Sequence, residues 1–199
     1  MRISLWVAVF LPVLSLASDS PPDQVLLKLN EALMGEYSAA HRYEAFAARA
    51  DRDGYKPIGK LFRAAARAEV IHRNGLASAI KAMGGTPGAF LPERVTVAHT
   101  RENLKLVIAA ETFEATNKYP ELINTLKAEK GSADALKITQ YALAAEKQHA
   151  ALFQEALDKL ERYQQAEFYV CPRCSAMALE DPGRQCRVCK ARKPAIQVK

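Results

Sequence analysis

Glu69-Val70-Ile71-His72 recurs as Glu146-Lys147-Gln148-His149, and the surroundings of these two stretches decide the fold. Around the first, core-type residues step by three and four: Ile58, Phe62, Ala65, Glu69, His72, Leu76, Ala79, Met83. Around the second the run is Ala135, Thr139, Ala142, Glu146, His149, Phe153, Ala156, Leu160. Such steps keep a set on one face of an α-helix. A third stripe, Leu26, Leu29, Leu33, Glu36, Ala40, Tyr43 and Ala47, carries Glu36 in the same way. Glutamates and histidines therefore stand at positions otherwise given to the core. A buried carboxylate without a partner costs several kcal/mol, so it pairs, neutralises or binds a metal. With Glu111 and Glu114 on a further helical stretch, five carboxylates face one interior. They have too few cations of their own, and metal ions are the natural counter-charge.

The four stretches are predicted to end near Ala50, Met83, Lys130 and Gln165. Asp51-Arg52-Asp53-Gly54 is a tight turn, and Gly131-Ser132 a short break with Ser132 as N-cap. Between them Gly84-Gly85-Thr86-Pro87-Gly88 and Pro92 open a long connection to about Thr100. Pro120 predicts a kink in the third helix. Short, long, short is the pattern of an all-α, antiparallel four-helix bundle with one long crossover. Ferritin-like carboxylate proteins of this shape take one Glu from each of two helices and Glu-x-x-His from each of the others, around two metal ions. Here Glu36 and Glu111 are the single donors, and Glu69/His72 and Glu146/His149 the paired ones.

The chain opens with Met1-Arg2 and an apolar run from Ile3 to Ala17, with small residues at Ser15 and Ala17. That run is shorter than the roughly 20 residues of a spanning helix, and Pro12 interrupts it. Residues 1–17 are expected to be a cleaved signal peptide, with the mature protein exported to the periplasm. No other segment is apolar enough for a stable membrane span. Residues 18–165 are expected to form the bundle and 166–199 a small appended domain. The formal charge of +6 is concentrated after Gln165, as in Lys190-Ala191-Arg192-Lys193. Without an aromatic-rich basic groove this reads as a solvated surface, not a nucleic-acid site.

All four cysteines lie in that tail, as Cys171-Pro172-Arg173-Cys174 and Cys186-Arg187-Val188-Cys189. Two C-x-x-C pairs across a short loop match tetrahedral metal coordination better than two disulfides. Iron and zinc both accept four thiolates, and spacing does not choose between them.

At this point the chain resembles the rubrerythrins. The resemblance rests on Gly35-Glu36 followed by Tyr43, Glu69-x-x-His72, Glu111-x-x-Glu114 followed by Tyr119-Pro120, and Glu146-x-x-His149, with a rubredoxin-like tail. It implies a non-haem di-iron centre on Glu36, Glu69, His72, Glu111, Glu114, Glu146 and His149, and one iron on Cys171, Cys174, Cys186 and Cys189. It also implies that His72 and Glu114 exchange on one iron with oxidation state, and that Tyr43 and Tyr119 hydrogen-bond the ligand carboxylates. Two residues depart from the pattern. Ser175 and Lys190 stand where rubredoxin knuckles place glycine, at positions expected to need positive φ.

The implied activity is a peroxidase that reduces hydrogen peroxide to water, with electrons relayed through the four-cysteine iron from a reductase, rubredoxin or cytochrome. One rival is a ferroxidase or iron-handling protein. The other is a non-enzymatic helical adaptor with a zinc ribbon. A helix rising about 1.5 Å per residue beyond His149 carries the tail away from its own bundle centre. The expectation is therefore a homodimer with electrons crossing between subunits, the usual two-fold arrangement.

Overall fold

The computed structural model describes residues 23–91, 94–165 and 167–199; the expected signal peptide lies outside them. Four long helical segments form the bundle. Helix α1 spans Asp23–Arg52 and α2 spans Lys56–Ala82, joined by a turn at Asp53–Tyr55. After the crossover, α3 (Thr100–Phe113) continues through a π-helical segment, Glu114–Lys118, into α4 (Tyr119–Ala128). Helix α5 (Ala133–Asp158) completes the bundle, followed by one 3₁₀ turn at Leu160–Arg162.

Local chemistry explains the ends. Pro57 sits in the first turn of α2, where its missing N–H costs nothing. Gly84, at φ 78°, lets α2 close with its neighbour Gly85 donating to the Ile80 carbonyl at 2.9 Å. The Ser132 hydroxyl accepts the Ala135 N–H at 3.0 Å, the expected N-cap of α5. Asp53 ties the crossover down by accepting from the Thr100 N–H and hydroxyl at 3.0 and 2.7 Å.

Pro120 stands at the start of α4, directly after the π-helical segment. It lacks the N–H that would bond one turn back, and the π-helical segment before it widens the turn instead, with Tyr119 N–H donating to the Glu114 carbonyl. Glu111, Ala115 and Tyr119 remain buried through this segment.

The core has two apolar layers. One holds Phe46, Phe62 and Phe153 around Tyr43, with ring centroids 5.1–6.3 Å apart. The other holds Leu29, Leu33, Leu76, Ile80 and Leu122 around Tyr119. Ala64, Ala65, Ala66 and Ala68 are almost fully buried, so α2 approaches its neighbours closely. The glutamates and histidines of the stripes lie between these layers along the chain.

The tail corrects one expectation. Helix α5 stops at Asp158, not near Gln165. Leu160 and Tyr163 are buried in the first apolar layer and turn the chain back along the bundle. A three-stranded antiparallel sheet follows, ordered β2-β1-β3, from Phe168–Val170 (β1), Met177–Ala178 (β2) and Ile196–Val198 (β3). Phe168, Val170 and Met177 join the bundle's own core, packing on α2 and α5. Burying these three side chains contributes on the order of 1.5–3 kcal/mol each. The expectation that the tail cannot reach its own bundle centre is thus wrong. Among the described residues no helix is long and apolar enough to cross a membrane.

Candidate metal centres

The bundle helices bring six of the seven expected ligands into two overlapping groups. Glu36, Glu69, His72 and Glu146 form one; Glu69, Glu111, Glu146 and His149 form the other. Within each group the donor atoms lie within 4.8 Å of one another. Side-chain direction on the helices explains the sharing. His72 Nδ1 is 2.8 Å from Glu69 Oε2 and 3.1 Å from Glu146 Oε1. His149 Nδ1 is 3.2 Å from Glu69 Oε1 and 3.0 Å from Glu146 Oε2. Glu69 and Glu146 therefore each turn one oxygen to either histidine, the arrangement of carboxylates that bridge two cations.

Burial and orphaned atoms test whether metals fit. All six residues are at most 4 % exposed. Glu36 Oε2, Glu69 Oε1, Glu111 Oε2, both oxygens of Glu146 and both ring nitrogens of His149 have no hydrogen-bond partner. Buried polar atoms normally have one. Burial, with repulsion from Glu146, pushes Glu111 up to about 7. A pair of divalent cations satisfies these atoms together, and the donor set of carboxylates and imidazoles suits iron.

Tyr43 donates to Glu111 Oε1 and Tyr119 to Glu36 Oε1. These are the contacts expected of both tyrosines. They fix two terminal carboxylates from opposite apolar layers, so each keeps its second oxygen free for the cluster.

Glu114 lies outside both groups. Its carboxylate accepts from Lys118 at 2.8 Å, and the same ammonium is 3.3 Å from Glu36 Oε1. Burial and repulsion from Glu36 push Glu114 up to about 9 against the pull of Lys118. The structure thus has His72 in the cluster and Glu114 beside it. Glu114→Ala is expected to keep close to its full iron content while peroxide turnover falls by roughly tenfold or more, as for a group near the ligands. Iron analysis with stopped-flow turnover checks this; loss of one iron would make Glu114 a constitutive ligand.

In the tail, the Sγ atoms of Cys171 and Cys189 are 3.7 Å apart and those of Cys174 and Cys186 3.6 Å apart. All four thiols are free of disulfides and form one cluster. A tetrahedron of sulfurs at about 2.3 Å from a metal has edges of about 3.8 Å. Each knuckle closes alike. Ser175 and Lys190 donate to the Cys171 and Cys186 carbonyls at 3.0 Å, and Cys171 and Cys186 donate to Ala176 and Ala191. Ser175 and Lys190 both have φ 58°, as expected of positions where glycine is usual. A non-glycine residue there costs roughly 1–2 kcal/mol.

Ser175 has a use for its side chain. Its hydroxyl donates to the Cys174 carbonyl and lies in hydrogen-bond contact with His72 Nε2. With its hydrogen so used, the hydroxyl accepts from Nε2–H, which leaves Nδ1, on the carboxylate side, as the nitrogen that a metal would take. Gln148, inside the second Glu-x-x-His, clamps the module as well. Its amide donates to the Met177 carbonyl at 2.7 Å and accepts the Met177 N–H at 2.8 Å. Ser175, Gln148 and Lys118 are what sequence reasoning missed. The departure from glycine was the signal for Ser175; the other two carry none. His41 and His99 are exposed and take no part.

A sequence model of the family described as Rubrerythrin matches residues 28–157. The chain belongs to the rubrerythrin family. It is 30% identical over 172 residues to rubrerythrin-2 of Clostridium acetobutylicum, covering 85% of this chain and 93% of that one. It is 31% identical over 166 residues to nigerythrin of Nitratidesulfovibrio vulgaris, covering 82% and 81%. A solved structure of nigerythrin in a mixed-valent state superposes with TM-score 0.79 at 26% identity, over 97% of this chain and all of the other. A mycobacterial bacterioferritin, at 20% identity and TM-score 0.63 over 70% of this chain, shares the ferritin-like fold. Family and geometry agree on the cofactors: a di-iron site in the helical bundle and a four-cysteine, rubredoxin-like site in the tail.

Proposed function

We propose that this rubrerythrin-family protein reduces hydrogen peroxide to water at the di-iron site, with electrons supplied by the four-cysteine iron of the same chain. The observation that carries this reading is the Ser175 contact, which links the Cys174 carbonyl to the cluster histidine His72 within one subunit. A di-iron pair held there would supply the two electrons that, with two protons, convert one peroxide to two waters. The residues do the rest. Glu69 and Glu146 hold the pair together, and Tyr43 and Tyr119 keep Glu111 and Glu36 aimed at it. The apolar layers on either side exclude bulk water. Glu114, on Lys118 beside the cluster, is placed to hold or pass a proton.

A ferroxidase has no need of a thiolate site wired to a cluster histidine, and a zinc-ribbon adaptor has no need of buried carboxylates. The external donor is a reductase, rubredoxin or cytochrome. Cys189 is the least buried of the four thiols, and exposed Arg187, Lys190, Arg192 and Lys193 around it suit an acidic donor surface. The N-terminal stretch supports export to the periplasm, and a homodimer of chains each complete in itself is the assembly we favour.

Purified protein is expected to be red, to bleach with dithionite, and to recolour on peroxide in one kinetic phase coupled to turnover. Co-assembly of Cys174→Ser with Glu69→Ala chains tests the route. Relay within one chain leaves the mixture as dead as its parts, whereas restored activity would mean that electrons cross between subunits.

A further inference from the structure

Lys118 is a cation among carboxylates that bind cations, and its placement is built, not incidental. Its ammonium bridges Glu114 on its own helix and Glu36 on α1, at 2.8 and 3.3 Å, and lies 5.4 Å from the Tyr119 ring centroid. An exposed pair four residues apart contributes little. Here, however, the second partner, Glu36, is fully buried and belongs to the metal cluster. The slot is made by Gly35, in the interior of α1, where glycine is a poor helix former. A Cβ at position 35 would collide with the Lys118 ammonium. The π-helical turn supplies the other half, since it lets adjacent Lys118 and Tyr119 both reach Glu36 Oε1. Lys118 also lines a surface cavity of about 230 Å³ with Lys28, Glu31 and Glu121, so its ammonium keeps contact with water and stays charged.

We propose that Lys118 is a positioning residue of the metal pair: an internal counter-cation that holds Glu114 off the metals and biases the pair toward its diferrous form. The charges balance in that form. With both cations seated, their charge holds all five carboxylates ionised, so Glu36, Glu69, Glu111, Glu114 and Glu146 match two ferrous ions and one ammonium. Oxidation to two ferric ions leaves positive charge in excess, which favours release of Glu114 from the ammonium toward the metals. The ammonium repels ferric more than ferrous ions, so it raises the reduction potential. The proposal rests on the di-iron assignment and is independent of what the oxidant is.

The test uses the full chain as Lys118→Met, which removes the charge at similar length, and Gly35→Ala, which displaces it. The midpoint potential of the di-iron pair is measured by redox titration. Co(II) is titrated into protein stripped at that pair with its four-cysteine site still filled. Both variants are expected to shift the potential downward. Lys118→Met is expected to bind Co(II) about tenfold more tightly, the order expected of one like charge removed from a few ångströms away. A structural role alone predicts the opposite, weaker Co(II) binding as packing is lost. Weaker binding, or a potential unchanged or raised in both variants, overturns the proposal.

Discussion

Glu146→Ala is expected to empty both iron positions of the bundle, not one. Glu146 turns Oε1 to the His72 group and Oε2 to the His149 group. Its loss therefore removes a donor from each group and the tie between them. Neither oxygen has another partner, and the residue is fully buried, so no solvent stands ready to substitute. Changes merely beside a metal ligand cost 10–100-fold, and a shared ligand should cost at least about 100-fold in peroxide turnover. Glu69→Ala is expected to behave alike, since its two oxygens are divided between His72 and His149 in the same way. Elemental analysis decides it, with the four-cysteine iron as internal standard. One bundle iron retained per chain would show that Glu146 serves a single metal.

The second large effect is on stability. In chelator-stripped protein, heating at increasing pH between 5 and 9 is expected to give a steadily falling Tm. Burial pushes Glu111 up to about 7 and Glu114 up to about 9, and raises Glu69 as well. An unfolded carboxyl titrates near 4.3. A group with a raised folded-state pKa stabilises fully below its unfolded value, and that contribution is lost as pH rises through the folded one. His72 and His149 act in the same sense. Burial opposes their charging, but the surrounding glutamates outweigh it and raise both, so they too lose stabilisation as pH rises. Glu36 is lowered, because Lys118 and His72 overcome its burial, and it changes only in acid. A drop of roughly 10 °C or more across the window is expected for a chain this size. Iron-loaded protein should show no such fall over the same range, because its carboxylates are held ionised on cations. A stripped protein with a flat or rising profile would mean that these carboxylates are already neutralised some other way.

The two predictions rest on different information. Five of the six cluster ligands were legible because helix period is a local property, and Glu111 followed from the donor pattern of the bundle. Steps of three and four put Glu36, Glu69, His72, Glu146 and His149 on core faces, and a carboxylate on a core face has few alternatives to a metal. The paired cysteines were legible for a similar reason, since C-x-x-C spacing is set within one knuckle. Helix caps at Ser132 and Gly84 follow from single residues. Which oxygen of Glu69 or Glu146 faces which histidine depends on how α2 and α5 pack together, and no spacing encodes it.

The sequence by itself determined the helical bundle, the metal-binding stripes and the four-thiolate tail, because periodicity, capping and knuckle spacing act over a few residues. Only the tertiary structure decided where the tail goes and what Glu114 touches. The fourth helix stops at Asp158 because Leu160 and Tyr163 find burial against α2 and its neighbours, and that contact does not exist until the bundle has formed. The fold-back then brings Ser175 to His72, 103 positions away, while packing of the π-helical turn on α1 brings Lys118 to Glu36, 82 positions away. Such pairings are products of packing between distant elements, where burial selects a partner that local sequence cannot name.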